Sequence, residues 1–251
     1  MSAFFVTATG TGIGKTYVTA GLIRHLRAQG KAVSALKPIV SGFAMETAPE
    51  SDPGQLLAAL GEAITPETIA RMSPWRFAAP LSPDMAAGRE GRALPYDDVL
   101  AFCRRAAASA QGTLLIEGVG GVMVPLDARH TVLDWMAELN LPAILVAGSY
   151  LGTISHTLTA LETMAHKGLA LAALVINDTG ASPVPLAETA RTIGRFAPDA
   201  AIVTIPRAAA DIDFAALAVR LTFKGAKACE NRVGLGLPLN GSTERPANGV
   251  L

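Results

Sequence analysis

A lysine and a threonine follow a glycine-rich loop near the start of the chain. An apolar run covers residues 4–7, the loop 8–14 contains three glycines, and Lys15 and Thr16 begin a segment of helical period. In a loop between a strand and a helix, backbone N–H groups can converge on an anion, and the helix N-terminus adds about half a positive charge. Lys15 can then reach outer phosphates, and the Thr16 hydroxyl can ligate magnesium. The spacing therefore favours a phosphate-binding loop.

This loop departs at one position from the strict pattern G-x-x-x-x-G-K-[ST], which requires a glycine where this chain has Thr9. The alternative is a glycine-rich turn followed by an ordinary surface lysine. A Gly-Lys-Thr sequence at a strand-to-helix junction indicates phosphate binding more strongly than it indicates a plain turn. We therefore predict a P-loop nucleotide-binding protein.

A second lysine ends the next apolar run. Lys37 closes the predicted strand 32–37, Pro38 favours an extended exit from it, and the hydroxyl of Ser41 follows in the loop. Ligands of open α/β folds bind at the carboxyl ends of the strands. We expect Lys37 to act there as a second cation. The alternative is a lysine that extends from the strand end into solvent.

Two carboxylates are candidates to stand beside these lysines. Glu117 ends the apolar run 113–117, from which a glutamate is normally excluded. An acid at a strand end beside a phosphate loop typically serves the magnesium ion of the nucleotide. The glycines that follow Glu117 leave backbone amides accessible to a substrate. Asp52 is a second candidate ligand, although a loop aspartate often caps a helix instead.

Short apolar runs alternate along the chain with longer segments of helical period. The predicted strands are residues 3–8, 32–37, 113–117, 143–147, 170–176 and 201–205. The predicted helices are residues 15–29, 53–60, 66–72, 96–110, 131–139, 153–167, 183–196 and 211–221. Several of the runs are apolar at nearly every position, as expected of strands that are buried on both faces. The alternation predicts an α/β fold in which right-handed crossovers build a mostly parallel sheet covered on both sides.

Two segments stand apart from this alternation. Residues 41–95 are rich in Pro, Gly and Ala and contain no convincing strand, only loops and short helices. Long connections in a compact domain are usually functional. Beyond residue 223 the composition changes to Gly, Asn and Pro without periodicity. We therefore expect one domain over residues 1–223 and a weakly ordered tail over residues 224–251.

The composition argues against several classes of partner. The 21 basic and 21 acidic residues give a formal net charge of zero without a block of like charge, so we expect no nucleic-acid partner. No stretch is long and apolar enough for a membrane span, and the N-terminus lacks a secretory pattern. Cys103 and Cys229 lack a metal-binding spacing, and the four histidines show no close pair. We therefore expect a cytoplasmic protein.

At these residues the chain resembles the dethiobiotin synthetases, which are ATP-dependent carboxylases that close a ureido ring in biotin synthesis. The resemblance rests on the loop through Thr16 and on segments 37–42, 51–52, 77–83, 117–121, 151–156, 175–178 and 205–206, in the family's order. The segments that contain Lys37 and Glu117 are more specific than the phosphate loop. The resemblance implies the three-layer α/β/α fold of the P-loop NTPases.

The resemblance also implies a reaction. The family takes a vicinal diamine, 7,8-diaminononanoate, with CO2, ATP and Mg²⁺, and forms dethiobiotin, ADP and phosphate through a carbamate and a carbamic-phosphoric anhydride. The implied catalytic residues are Lys37, Lys15 and Thr11. The two lysines would neutralise the carbamate and the transferring phosphoryl group. The implied magnesium ligands are Thr16, Asp52 and Glu117.

The same resemblance implies which residues bind nucleotide and diamine. The implied nucleotide contacts are Gly12, Ile13, Gly14, Lys15, Thr16, Tyr17, Asn177, Pro206 and Arg207. Asn177 would pair with the donor and acceptor edge of adenine, although an asparagine after a strand is as often a turn residue. The implied substrate contacts are Ser41, Gly118, Val119, Leu151 and Gly152. Because Leu151 and Gly152 would receive the substrate's carboxylate from the neighbouring subunit, a homodimer is implied as well.

Three alternatives stand beside this interpretation. A partitioning or regulatory ATPase of the same superfamily would carry a signature lysine early in the phosphate loop, and residues 6–13 contain none. Such proteins can also end in an amphipathic membrane helix, which the tail does not resemble. An amide-forming synthetase of the cobyrinate type would bring a glutaminase domain, which would not fit in the chain. A nucleotide-binding module without catalysis would not need a second buried lysine at the strand edge.

Overall fold

The computed structural model describes residues 2–207 and 214–221. The strands are β1 (Ser2–Ala8), β2 (Val33–Leu36), β3 (Ile39–Ser41), β4 (Trp75–Phe77), β5 (Thr113–Glu117), β6 (Ala143–Ala147), β7 (Leu171–Asn177) and β8 (Ile202–Ile205). The α-helices are α1 (Lys15–Ala28), α2 (Asp52–Leu60), α3 (Pro66–Met72), α4 (Pro83–Arg89), α5 (Tyr96–Ser109), α6 (Val132–Leu139), α7 (Thr153–His166), α8 (Leu186–Phe196) and α9 (Ala215–Arg220). A 3₁₀ helix covers Met45–Glu50. Each predicted strand and helix has a counterpart whose ends differ by a few residues.

Six strands form one parallel sheet in the order β2-β5-β1-β6-β7-β8. β1 lies inside the sheet, with Phe5 opposite Ile116 of β5 on one side and Val6 opposite Ile144 of β6 on the other. The chain builds the β2 side before it crosses to the β6 side, so a crevice opens at the carboxyl end of β1. The glycine-rich loop leaves the sheet at this crevice.

Helices cover both faces of the sheet, which confirms the predicted three-layer α/β/α fold. Neighbouring residues of β1 enter different cores, because successive side chains of a strand point to opposite faces. Phe5 packs in a cluster with Trp135 and Leu145, whereas Phe4 packs in a second cluster with Leu22. The rings of Phe5 and Trp135 meet edge to face, with centroids 4.8 Å apart. Burial on both faces explains why the inner strands are apolar throughout.

Helix α1 begins directly after the glycine-rich loop and packs on the sheet along one face. Its residues Val18, Leu22 and Leu26 recur every four positions and are buried in the second cluster. Fully burying each such side chain stabilises the fold by about 1.5–3 kcal/mol. This packing fixes the N-terminus of α1, and with it the loop, relative to β1.

The segment 41–95 contains a strand that the sequence does not predict. β4 pairs in parallel with β3 in a separate two-stranded sheet, with Ile39 opposite Trp75. The expectation of no strand is wrong, because a three-residue strand is too short to show an alternating pattern. The pairing continues beyond the strands, where the backbone N–H of Gly42 donates to the carbonyl oxygen of Ala79. It therefore brings the loop after β4 to the carboxyl edge of the main sheet.

Two predicted helices, 183–196 and 211–221, begin earlier in the chain than the helices α8 and α9 that correspond to them. α8 begins at Leu186 instead of residue 183, because Val184 precedes a proline and is disfavoured in the helical conformation. The predicted helix 211–221 overlaps α9, and its residues 211–213 lie outside the described part of the chain. The predicted tail over residues 224–251 lies outside it as well, so the domain boundary stays a prediction.

Among the helices in residues 2–207 and 214–221, none combines the length and the apolar character that crossing a membrane requires.

Gly21 provides a test of how α1 packs. A Cβ atom on Gly21 would lie 2.0 Å from Cζ of Phe214, the residue before α9. Replacing a helical glycine by alanine normally stabilises a protein, but here the added methyl group has to displace a buried ring. We expect Gly21→Ala to lower the free energy of unfolding by about 1–3 kcal/mol, measured by urea denaturation.

Gly88 in α4 is the matched control for this substitution, because a Cβ atom there meets no atom of the described residues within 4 Å. We expect Gly88→Ala to leave the free energy of unfolding unchanged or to raise it by up to about 1 kcal/mol. Equal effects of the two substitutions would contradict the contact between α1 and Phe214.

Candidate active site

The carboxyl ends of β1, β2, β3 and β5 surround a cleft of about 620 Å³. Its walls come from the glycine-rich loop, the first turns of α1 and α2, and the loops that follow β4 and β5. The lining residues are Thr11, Gly12, Gly14, Lys15, Thr16, Tyr17, Lys37, Val40, Ser41, Asp52, Gln55, Pro80, Leu81, Ser82, Val119, Gly120 and Val124. The cleft lies at the sheet edge where open parallel sheets bind their ligands.

The glycine-rich loop needs glycine at two positions. Gly12 and Gly14 have φ angles of 72° and 100°, which side-chain-bearing residues rarely adopt. A Cβ atom on Gly14 would also lie 2.3 Å from Nδ2 of Asn177, which donates to the carbonyl oxygen of Ile13 at 2.9 Å. The end of β7 thus holds the loop against the N-terminus of α1. Backbone N–H groups and the helix dipole can bind an anion there.

The ammonium group of Lys37 is buried against two carboxylates. Its Nζ lies 2.9 Å from Oε1 of Glu117 and 3.0 Å from Oδ2 of Asp52. It also donates to the carbonyl oxygen of Gly118 at 2.7 Å. Lys37 is 1% exposed, so it does not extend into solvent. Strand pairing explains this position, since Lys37 follows β2 and Glu117 ends the adjacent β5.

Thr16 connects the same carboxylates to the phosphate loop. Its Oγ1 lies 2.8 Å from Oδ1 of Asp52 and 2.8 Å from Oε1 of Glu117. A hydroxyl has one proton, so Thr16 can donate to only one of the two at a time. Oε2 of Glu117 is buried and has no hydrogen-bond partner in the described residues. Three hard oxygen ligands therefore converge beside the loop.

Asp52 does not cap α2, which was the alternative role considered for it, because the preceding residue does. Ser51 is the N-cap of α2, and its Oγ accepts from the backbone N–H of Gly54 at 3.3 Å. Asp52 stands one position later, in the first turn, and its carboxylate contacts Thr16 and Lys37. The start of α2 therefore places a carboxylate at the cleft without using it as the cap.

The two lysines of the cleft differ in their electrostatics. Lys15 donates to the carbonyl oxygen of Gly120 at 2.8 Å. Burial, and to a smaller extent the charge of Lys37, lowers the pKa of Lys15 from 10.5 to about 8. Burial also disfavours charge on Lys37, but Glu117 and Asp52 outweigh it and raise the pKa of that group. Lys37 therefore stays charged across the physiological range, whereas Lys15 titrates close to it.

The same contacts act on the carboxylate of Asp52. Burial would raise its pKa, but the charge and hydrogen bond of Lys37, together with the hydroxyl of Thr16, outweigh that effect. The pKa of Asp52 is therefore lowered, and the group is ionised at neutral pH. An ionised carboxylate is the form that binds a hard cation.

Most of the predicted site residues meet at this cleft. Thr11, Tyr17, Ser41 and Val119 line it. Oγ of Ser41 is buried and has no hydrogen-bond partner in the part of the chain described here. Gly118 takes part through its carbonyl oxygen, which accepts from the buried lysine. The predicted substrate contacts on the loops after β3 and β5 therefore lie beside the predicted catalytic cations.

A second group of predicted residues lies at the ends of β6, β7 and β8, which we call the β6–β8 edge. This group does not line the cleft and consists of Leu151, Gly152, Asn177, Pro206 and Arg207. Ile13 of the glycine-rich loop does not line the cleft either and contacts this edge through Asn177. Leu151 is 87% exposed, and Gly152, with a φ of 102°, begins α7. Arg207 is exposed, and its Nη1 donates to the carbonyl oxygen of Thr179 at 3.2 Å. The structure thus divides the predicted site between two parts of one sheet edge.

Several lining residues have no predicted role in the sequence. They are Val40, Gln55, Pro80, Leu81, Ser82, Gly120 and Val124. The segment 77–83 carries part of the resemblance, so a signal existed for Pro80 and Leu81, but it assigned them no contact. No sequence pattern indicated Val124. It reaches the cleft because the chain turns back at Gly120 after leaving β5. The side chains of Val40, Pro80, Leu81 and Val124 give the cleft an apolar wall.

The lowered pKa of Lys15 predicts how nucleotide binding depends on pH. With a pKa of about 8, about 90% of the molecules carry this charge at pH 7 and about 10% at pH 9. The charged form attracts phosphate, so we expect the affinity for ADP without metal to fall about tenfold over this range. Binding near pH 8.5 should take up a proton. Calorimetry in buffers of different ionisation enthalpy measures both quantities.

Lys15→Arg is the control for this prediction, because a guanidinium group stays charged over the whole range. Its affinity for ADP should not fall between pH 7 and pH 9. A wild-type affinity that is equally independent of pH would contradict the assignment of the titration to Lys15.

Comparisons with known proteins agree with this geometry. A family model described as an AAA domain matches residues 2–210. The chain is 52% identical over 196 residues to the ATP-dependent dethiobiotin synthetase BioD of Acidiphilium cryptum, covering 78% of this chain and 88% of that protein. It is 54% identical over 202 residues to the protein of the same name from Methylobacterium nodulans, covering 78% of this chain and 90% of that protein.

A solved structure supports the fold independently of these relatives. The septum site-determining protein MinD of Pyrococcus horikoshii, in complex with Mg-ADP, is 18% identical to this chain with a TM-score of 0.50. The match covers 82% of this chain and 81% of that chain, and it concerns the fold alone. The family is assigned from the two synthetases, which share far more of their sequence with this chain than MinD does. By their identity and coverage, the chain belongs to the ATP-dependent dethiobiotin synthetase family.

Proposed function

We propose that the cleft performs ring closure with the residue roles given below. The chain is an ATP-dependent ligase of biotin biosynthesis, which forms dethiobiotin from 7,8-diaminononanoate and CO2 with release of ADP and phosphate. In the proposed course, a carbamate forms on one amine, its oxygen attacks the γ-phosphate, and the second amine closes the ring as phosphate leaves. The observation that carries the proposal is the buried ammonium of Lys37 between Glu117 and Asp52, beside the phosphate loop.

The nucleotide contacts are proposed on both parts of the sheet edge. They are Gly12, Ile13, Gly14, Lys15, Thr16, Tyr17, Asn177, Pro206 and Arg207. Lys15 would exchange the carbonyl oxygen of Gly120 for the outer phosphates of ATP, which are stronger acceptors because they are charged. Nδ2 of Asn177 already donates to Ile13, so reading adenine through this atom requires that hydrogen bond to be exchanged.

Lys37 and Lys15 are the proposed catalytic cations. Phosphoryl transfer passes through a loose transition state, so a protein assists it mainly by position and charge. The contacts of Lys37 with two carboxylates keep it charged and fixed at the cleft before substrate arrives. Its ammonium would neutralise the carbamate oxygen and the transferring phosphoryl group, while Lys15 holds the outer phosphates. Thr11 would hydrogen-bond the carbamate or amine beside them.

Thr16, Asp52 and Glu117 are the proposed ligands of Mg²⁺. In residues 2–207 and 214–221, no group of three or more His, Cys, Asp and Glu side chains could hold a metal ion. Two carboxylates and one hydroxyl nevertheless fit Mg²⁺, which commonly combines few protein ligands with phosphate oxygens and water. The partnerless Oε2 of Glu117 supports this fit. When bound with ATP, the ion would neutralise charge on the β- and γ-phosphates.

The proposed diamine contacts are Ser41, Gly118, Val119, Leu151 and Gly152. The partnerless hydroxyl of Ser41 supports a polar contact with an amine or carbamate, and the apolar wall of the cleft suits an alkyl chain. Leu151 and Gly152 are outside the cleft, so they would serve the cleft of a second copy by binding the substrate's carboxylate at the start of α7. We therefore propose a homodimer.

We further propose a cytoplasmic protein without nucleic-acid or membrane partners. The balanced charge of the sequence and its two distant cysteines support this location. The regulatory ATPase is the less supported alternative, because curated relatives at 45–54% identity are synthetases.

Diamine-dependent phosphate release tests the proposed function. Purified protein is incubated with MgATP and bicarbonate, with and without 7,8-diaminononanoate, and the product is followed by mass. We expect phosphate and a product with the mass of dethiobiotin only when the diamine is present, and neither after Mg²⁺ is removed with a chelator. Phosphate release that ignores the diamine would contradict the proposal and favour the regulatory ATPase.

Lys37→Gln separates catalysis from nucleotide binding. We expect product formation to be abolished, because the charge that stabilises the phosphoryl group is lost. ATP binding should stay within about tenfold of wild type, equivalent to about 1.4 kcal/mol, since the phosphate loop is intact. Product formation by mass and ATP affinity by calorimetry measure the two effects.

Two controls accompany this variant. Lys167→Gln removes an exposed lysine that pairs with Asp134, and it should keep full activity. Lys37→Gln/Glu117→Gln also removes the carboxylate that the first change leaves buried without its cation, so its thermal melt shows whether misfolding explains lost activity. Near-normal turnover of folded Lys37→Gln would remove Lys37 from the mechanism.

A further inference from the structure

Ser149 follows β6 and connects two loops of the β6–β8 edge. Its side chain is fully buried. Its Oγ accepts from the backbone N–H of Thr179 at 2.9 Å and donates to Oδ1 of Asp178 at 3.2 Å. Its own backbone N–H donates to Oγ1 of Thr179 at 3.3 Å. One serine thus holds the turn that follows β7 through three hydrogen bonds.

That turn begins at Asn177. Oδ1 of Asp178 also accepts from the backbone N–H of Gly180 at 2.8 Å, and Gly180 has a φ of 77°. The carbonyl oxygen of Thr179 accepts from Arg207. The turn therefore continues directly from Asn177, contacts Arg207 and has Ser149 as its buried anchor.

The loop that contains Ser149 is itself fixed against the phosphate loop. A Cβ atom on Gly148 would lie 3.0 Å from Cγ2 of Ile13, and the carbonyl oxygen of Gly148 accepts from Oγ1 of Thr153 at 2.6 Å. Asn177 donates to the carbonyl oxygen of the same Ile13. Ile13 of the phosphate loop is therefore in contact both with Gly148 after β6 and with Asn177 at the end of β7.

We propose that Ser149 is a positioning residue for the nucleotide base. It holds the turn that joins Asn177, which contacts the phosphate loop, to the acceptor of Arg207, so that both proposed base contacts keep their positions. Ser149 acts through these residues, because its buried side chain cannot itself reach a ligand. The inference rests on the proposed base contact of Asn177.

Ser149→Ala tests the proposal by separating base binding from phosphate binding. Removing the hydroxyl leaves the N–H of Thr179 without its acceptor and releases one contact of Asp178. We expect the KM for ATP to rise about tenfold while kcat at saturating ATP stays within about twofold. The affinity for inorganic tripolyphosphate, which has no base, should not change. A loss of affinity for ATP and tripolyphosphate alike, or an unchanged KM, would overturn the proposal.

Two further variants keep the result interpretable. Ser109→Ala is the matched control, because the hydroxyl of Ser109 is exposed and donates only within its own helix, to Arg105 and Ala106. Thr179→Val removes the acceptor of the Ser149 N–H from a half-buried position. It should raise the KM for ATP in the same base-dependent way, so the proposal is tested even if Ser149→Ala does not fold.

Asn177→Ala distinguishes failure of this proposal from failure of the proposed base site. Asn177 also holds the phosphate loop through Ile13, so Asn177→Ala can weaken both ligands, and the base contact is measured by the excess loss for ATP. If Asn177→Ala weakens ATP more than tripolyphosphate, while Ser149→Ala and Thr179→Val change neither, the base site stands and the role of Ser149 is wrong. If Asn177→Ala has no base-dependent effect, the proposed base contact is wrong, and the positioning role fails with it.

Discussion

A lysine charge buried beside a glutamate governs the arrangement of the cleft. Lys37 and Glu117 end adjacent strands, and each is almost completely removed from water. Burying either charge alone would be strongly unfavourable, and even the pair is weak evidence for added stability. Asp52, Thr16 and the carbonyl of Gly118 complete the contacts of the pair. The pair therefore does not account for itself as a stabilising contact, which agrees with the catalytic role proposed for Lys37.

The loop after β5 contacts both buried lysines of the cleft. Lys37 contacts the carbonyl oxygen of Gly118, and Lys15 contacts that of Gly120. Val119, between them, lines the cleft. The backbone proposed to meet the diamine is thus held by the lysines proposed to meet the phosphates. If Lys15 binds phosphate as proposed, it has to leave the carbonyl oxygen of Gly120, and the contacts of this loop change.

The sheet edge divides its tasks by strand order. The side of β2, β5 and β1 carries the two buried lysines with their carboxylates. The side of β6, β7 and β8 carries the amide of Asn177, the hydroxyl of Ser149 with the carboxylate of Asp178, and the exposed Arg207. The phosphate loop stands between the two parts and contacts both, through Thr16 on one side and Ile13 on the other. A parallel sheet makes this possible because all its strands end at the same edge.

The sequence by itself determined the six strands of the main sheet, most of the helices, the glycine-rich loop between β1 and α1, and Lys37 and Glu117 as chemical candidates. These features are local, since a charged residue at the end of an apolar run is visible without a fold. Only the tertiary structure decided that β3 pairs with β4, that Val124 returns to the cleft, and that Ser149 anchors the turn after Asn177. Those outcomes depend on contacts between distant segments, and no pattern within one segment encodes them.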